Sequence, residues 1–160
     1  MNDAPIRWST FESEQADLAA AVLARFTVTK HHVLATLRSD GAPRVSGTEV
    51  PLVGGELYLG SMPGALKARD LRRDPRFALH SNPGDGSMEG GDAKLSGLAV
   101  EIDDPDEVAR IGELLGVPAG PFHLFRLEVD LAVHSEVDEE LQKMRITSWR
   151  PGRGVVVDER

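Results

Sequence analysis

The chain has 160 residues, enough for one domain that buries roughly two thirds of its unfolded surface without covalent staples. It has no cysteine, which excludes disulfides, zinc–thiolate sites and thiol catalysis. Its net charge of -8 disfavours nucleic acid, which needs a basic face, and no apolar stretch approaches the ~20 residues of a membrane-spanning helix.

Ser9 to Glu12 has capping-box spacing, with Ser13 as a second possible cap. Phe11, Leu18, Val22 and Phe26 then recur at helical spacing, so one amphipathic helix is expected over about 10–27. His32–Leu37 is a short apolar run with β-branched residues, stopped by the turn Asp40-Gly41 and Pro43. A second strand is expected over Arg44–Leu52, with Gly54-Gly55 turning it into a third from Glu56 to Leu59. Tight turns between them imply an antiparallel meander, because parallel strands need long crossovers.

Ala65–Arg73 reads as a basic helix closed by Asp74-Pro75, followed by a strand over Arg76–His80. Pro83–Gly91 is glycine-rich and offers little burial to offset its ordering entropy, so it is expected to be a mobile loop. A strand follows over Ala93–Ile102. Asp104, Pro105, Asp106 and Glu107 then form a strong helix start, with Val108, Ile111, Leu114 and Leu115 as the buried face. Phe122–Val137 and Leu141–Trp149 complete the strands. The sum is a mainly β, single-domain chain (1–160): an antiparallel sheet of six or seven strands and two or three short helices. The barrel spans about 31–149 and a tail 150–160.

Familiar catalytic motifs are absent: there is no GxGxxG, Walker A loop, HExxH or GxSxG. His31 and His32 are adjacent on a strand, so they face opposite ways and cannot share one metal; no metal site is expected. What remains is the segment from Gly60 through Lys67 to Pro75, a strand, a glycine-containing turn and a helix start carrying a lysine. Such a start favours anions, while a solvated basic helix face is the plain alternative. The cluster Lys67, Arg69, Arg72, Arg73 and Arg76 is sized for one or two phosphates.

The order of these features resembles the FMN-binding split-barrel family, which includes pyridoxamine 5′-phosphate oxidase, flavin reductases and actinobacterial enzymes using the deazaflavin coenzyme F-420. The features are an Asp-Gly-x-Pro turn, a Gly-Gly hairpin, Leu57-Tyr58-Leu59, and Lys67-Ala68 leading to Leu71 and Asp74-Pro75. The resemblance covers about residues 28–103, and again Trp149–Arg153.

It implies an antiparallel split β-barrel that binds FMN, or alternatively deazaflavin. Ser46, Gly47, Thr48 and Glu49 would lie along the ring and ribityl chain, Gly60 and Ser61 near the phosphate end, and Lys67 on the phosphate. Asp92 and Lys94 would add polar contacts. Trp149 and Arg153 would reach the cofactor of the other subunit in a homodimer; the alternative for Trp149 is a core aromatic. Phe122–Val137 and Leu141–Trp149 are the candidate dimer interface.

Where the family usually has Ser-Arg-Lys, this chain has Ala65-Leu66-Lys67, so two phosphate ligands are missing and Arg69 is the nearest helper. The implied function is a flavin- or deazaflavin-dependent oxidoreductase acting on a small molecule, with no general acid or base identified. The alternative is a non-catalytic flavin- or haem-binding barrel. Met1–Pro5 lacks the basic and apolar parts of a signal peptide, so a cytoplasmic protein is expected.

Overall fold

The structure is a computed structural model that describes residues 3–84 and 87–160. The segment Pro83–Gly91, expected to be a mobile loop, includes Asp85 and Gly86, which lie outside the described residues.

A short strand β1 (Ile6–Arg7) leads into α1 (Trp8–Glu14) and α2 (Ala16–Thr27), two helices where the sequence pattern suggested one. They part at Gln15, whose φ of -137° and ψ of 59° leave the helical region. Ser9 is not the cap. It lies one residue inside α1, behind Arg7 as N-cap, and its hydroxyl donates to Glu56 Oε1 at 2.6 Å. The break lets both helices contribute apolar faces to one core: Phe11 packs on Trp8 at 5.2 Å and on Trp149 at 4.5 Å, while Val22 and Phe26 enter it from α2.

The next elements are β2 (His32–Leu37), β3 (Pro43–Thr48), β4 (Leu52–Val53), β5 (Glu56–Ser61), α3 (Leu66–Arg73) and β6 (Arg76–His80). They are followed by β7 (Asp92–Glu101), α4 (Pro105–Leu114), β8 (His123–Asp138), β9 (Lys143–Arg150) and β10 (Gly154–Glu159). The sheet has ten strands in the described residues, on the path β10-β9-β8-β7-β6-β2-β3, with β1 and β5 both on β8.

The expected meander holds for β2 and β3, which pair from His32↔Thr48 to Leu37↔Pro43, and then fails. The strand expected over Arg44–Leu52 stops at Thr48. Pro51 has no N–H for a ladder and fixes its own φ, so the chain leaves the sheet there and re-enters as the short β4–β5 hairpin. β5 then pairs with β8, from Tyr58↔Arg126 to Ser61↔His123, and not with β3.

β8, at 16 residues the longest strand, makes the split. One edge runs along β7 with a bulge at Ser96/Gly97. The other edge is shared by β5 and β1 toward its start and by β9 from Ala132 onward. Period-2 alternation sends Leu34, Leu79, Leu95, Ala99, Leu127 and Val129 into one interior.

Two further expectations are corrected. The chain does not trail off after residue 149: Gly152 and Gly154, with φ of 71° and 74°, turn it into β10, which pairs with β9 from Gly154↔Arg150 to Glu159↔Arg145. In α4, Asp104 caps as expected, accepting from the Asp106 N–H at 2.9 Å, but Leu114 is 63% exposed and Ile111 carries the buried face.

Candidate functional site

The site is built where α3 meets β3. Alternation puts Arg44, Ser46 and Thr48 of β3 on one face and Val45 and Gly47 on the other. The turn Met62–Ala65 brings the chain from β5 into α3, and α3 lays Ala68, Asp70 and Leu71 against the barrel. Lys67 reaches across to β3, the last strand of the sheet path, and its Nζ donates to the Gly47 carbonyl at 2.8 Å. Between the two elements lies a cleft of about 420 Å³. Arg38, Arg44, Val45 and Ser46 bound it on the strand side, and Ala65, Leu66 and Lys67 on the helix side.

Its electrostatics are one-sided. No carboxylate lines the cleft, while Arg38, Arg44 and Lys67 do. Burial holds the Lys67 ammonium below its ordinary pKa, and the attraction of Glu49 offsets this only in part. The counter-charge sits behind the wall, at Asp70, whose side chain is 4% exposed. One Asp70 oxygen accepts from Arg44 Nε at 2.6 Å and from the Thr36 hydroxyl at 2.8 Å, and the other from Arg73 at 3.1 Å. Burial alone would raise this carboxyl. The hydrogen bonds from Arg44, Thr36 and Arg73 outweigh it and bring the pKa below the ordinary carboxylate value.

Of the residues expected at the site, Ser46, Gly47 and Lys67 come together at the cleft. Thr48 is buried, its hydroxyl donating to the Glu49 carbonyl at 3.0 Å, and Glu49 pairs with Lys30 at 3.4 Å at the end of β3. Gly60 is exposed, and a Cβ there would meet nothing within 4 Å. Ser61 begins the turn into α3, but its Oγ is buried and has no partner among the described residues. Arg69 points from the exposed side of α3, near Gly64.

Asp92 and Lys94 pair with each other at 2.8 Å, beside His80. The register Gly47↔Val33↔His80↔Lys94 puts them on the same sheet face as Gly47, about 14 Å away across three strand spacings. Trp149 does not reach outward: at 2% exposure its ring packs on Phe11 and belongs to this chain's own core. Arg153 is exposed and pairs with Asp3 at 3.2 Å.

The sequence reading missed Arg38, Arg44 and Asp70. Arg44 had a usable signal, since two residues before Ser46 on a strand means the same face. Arg73, read from sequence as one of the basic cluster sized for one or two phosphates, is held by Asp70 and also donates to the Leu37 carbonyl.

A larger cleft, about 570 Å³, lies on the other side of the Met62–Ala65 turn, among Pro63, Arg72, Glu101, Phe122 and His123. Its arginine is already matched, and Asp103 adds a second carboxylate to the lining. Arg72 grips Glu101 with bonds of 2.6–3.0 Å and lowers that carboxyl's pKa, and His123 Nε2 accepts the Gly64 N–H at 3.2 Å. It therefore offers an anion less than the cationic cleft does.

No family model and no curated protein sequence matches the chain. Solved structures do. PhzG from Burkholderia lata 383, determined with tetrahydrophenazine-1-carboxylic acid, aligns over 94% of this chain and 91% of its own, with TM-score 0.63 and 20% identity. A pyridoxamine 5′-phosphate oxidase-related, FMN-binding protein from Nostoc punctiforme PCC 73102 aligns over 91% and 95%, with TM-score 0.63 and 14% identity. The haem storage protein HutZ from Vibrio cholerae aligns over 72% and 89%, with TM-score 0.53 and 18% identity. At these identities the likeness establishes the fold alone: this chain has the antiparallel split β-barrel fold that these proteins share.

Proposed function

We propose that the protein is a flavin- or deazaflavin-dependent oxidoreductase, with FMN the first candidate cofactor and coenzyme F-420 the second. The observation that carries this reading is the cationic cleft. A chain of net charge -8 gathers Arg38, Arg44 and Lys67 around about 420 Å³ with no carboxylate in the lining, on a barrel whose solved likenesses include a protein described as FMN-binding. Such a volume and charge suit the phosphate end of a nucleotide-like cofactor.

The residues present fit that group. Lys67 would hold the phosphate, next to the turn that follows Gly60 and Ser61. Gly47 has no Cβ, and one built there meets nothing within 4 Å, so a flat ring has room to lie along Ser46–Glu49. When bound, the cofactor supplies the hydride chemistry, while the protein binds, orients and screens it from water.

In this reading the protein works in the cytoplasm as a homodimer, and Asp92, Lys94 and Arg153 face the second protomer and its cofactor. Val137, Met144 and Val156, all exposed on the β8–β10 side, are the apolar surface such a dimer would cover. The visible spectrum of the purified protein, followed by fluorescence titration with FMN and with F-420, tests the reading. A yellow protein, or saturable uptake of either cofactor, supports it. A protein that binds neither refutes it, and a haem spectrum would move it to the alternative, a haem-binding barrel without catalysis.

A further inference from the structure

We propose that β10 is a docking edge for a second copy of this chain. Two β10 strands pair antiparallel about a two-fold axis at Val156 and join two sheets into one. The inference rests on the homodimer of the functional reading and gives that dimer its contact.

β10 ends the sheet path and pairs on one side only, with β9. An unpaired edge is a template for another strand, and proteins blunt it with lysine, proline or a bulge. β10 has none of these. It reads Gly-Val-Val-Val-Asp-Glu, its register with β9 is unbroken, and Val155, Val156 and Val157 are 43%, 53% and 53% exposed. Successive side chains on a strand point to opposite faces, so β10 offers a partner apolar surface on both.

The direction of its free backbone groups follows from the end of the strand. Met144 and Arg160 exchange both N–H···O=C bonds, at 2.8 and 3.0 Å. In an antiparallel ladder such pairs alternate with pairs that exchange none. Counting back in register, Asp158, Val156 and Gly154 turn their backbone groups toward β9, while Val155, Val157 and Glu159 turn theirs outward. With Val156 on the axis, Val155 comes opposite the partner's Val157 and exchanges two bonds with it, and symmetry repeats the pair. The two Val156 side chains then meet at a non-bonded pair, with Cα atoms about 4.5 Å apart.

Registers shifted to put Val155 or Val157 on the axis would also pair outward groups. The first sets Val157 opposite the turn at Arg153, and the second sets Asp158 and Glu159 opposite valines. The central register matches all the valines with valines. It also brings Arg153 to the same end as the partner's Glu159, opposite in charge, so backbone bonds supply affinity and side chains supply register.

Because the chain has no cysteine, Val156→Cys gives one thiol per protomer. Mild oxidation should link it into a covalent dimer, since Cα atoms about 4.5 Å apart are within disulfide reach. Val155→Cys, whose copy lies on the diagonal at about 7–8 Å, should link at least about tenfold more slowly. Val157→Pro removes an outward N–H and leaves the ladder to β9 whole. By sedimentation velocity it should raise the dimer Kd about ten- to hundredfold, with circular dichroism confirming that it folds. Arg153→Glu should weaken the dimer about tenfold, and adding Glu159→Arg should restore it. Equal linking at the two cysteine positions, or a Val157→Pro dimer as tight as the parent's, overturns the β10 contact while the homodimer stands. A double charge swap that restores nothing overturns the register, and a parent that is monomeric at micromolar concentration overturns the contact and the homodimer together.

Discussion

Replacing Lys67 with alanine separates an anion site from a solvated basic helix. The ammonium has three N–H donors, one of which is on the Gly47 carbonyl at 2.8 Å, leaving two for a phosphate. Two charge-assisted bonds in a dry site would contribute about 3–6 kcal/mol, but Lys67 is only partly buried, and roughly half that is a fairer figure. The loss in Lys67→Ala is then about 1.5–3 kcal/mol, one to two decades in Kd. The unliganded protein should lose no more than about 1 kcal/mol, the net worth of one hydrogen bond to a carbonyl.

The pH dependence gives an independent reading. Burial holds the Lys67 pKa below 10.5, and an anion needs the charged form. Parent affinity should therefore fall as pH rises into the alkaline range toward that lowered pKa, while Lys67→Ala shows no such fall. Fluorescence titration of FMN at a series of pH values measures both effects. Arg76→Ala, whose guanidinium is engaged with Asp74, serves as the charge-matched control. If Lys67→Ala binds like the parent across this range, the phosphate is elsewhere and the cleft is not its site.

His32 ties the end of α2 to β2 and β6: its Nε2 donates to the Phe26 carbonyl and its Nδ1 accepts the Asn82 N–H, both at 3.0 Å, which requires the neutral ring. Burial lowers its pKa from 6.5, so just below that value the unfolded state holds the extra proton. Stability by urea unfolding should drop as pH falls through the region below 6.5, by at most about 1.4 kcal/mol per pH unit, and His32→Phe should flatten that slope. Gly97→Ala should destabilise by on the order of 3 kcal/mol or more in thermal melting. The bulge there has φ of 156°, and a Cβ would sit 1.8 Å from the Glu128 carbonyl oxygen; an unchanged Tm would mean the bulge relaxes freely. Light scattering should give a dimer at micromolar concentration, and a monomer would remove the role of Arg153 at a partner's cofactor.

The parts of the fold legible in the sequence are those fixed by local punctuation. His32–Leu37 and Arg76–His80 have the bounds their flanking Asp, Gly and Pro residues imply, and Asp104-Pro105 starts its helix where capping chemistry demands. What the sequence hid was non-local. Nothing near Glu56–Ser61 says that it pairs with a strand some sixty residues later instead of its neighbour; that follows from Pro51 ejecting the chain from the sheet. The break at Gln15 has no glycine or proline to mark it, and it is decided by how Trp8 and Phe11 meet Trp149.

The site divides the same way. Lys67 is legible because a lysine just inside a helix start is a local pattern. Arg44 and Asp70 are not, because the meaning of each depends on the other, 26 residues away. In sequence an aspartate three residues after the lysine looks like a counter-charge that would weaken an anion site. In the structure it is buried against the barrel and does not line the cleft. Asp70 is buried behind the wall and spends its charge on Arg44 and Arg73, so it holds Arg44 at the cleft without entering it. An acidic chain can bind an anion on these terms when its carboxylates are kept in the second layer, and Asp70 is the residue that does so here.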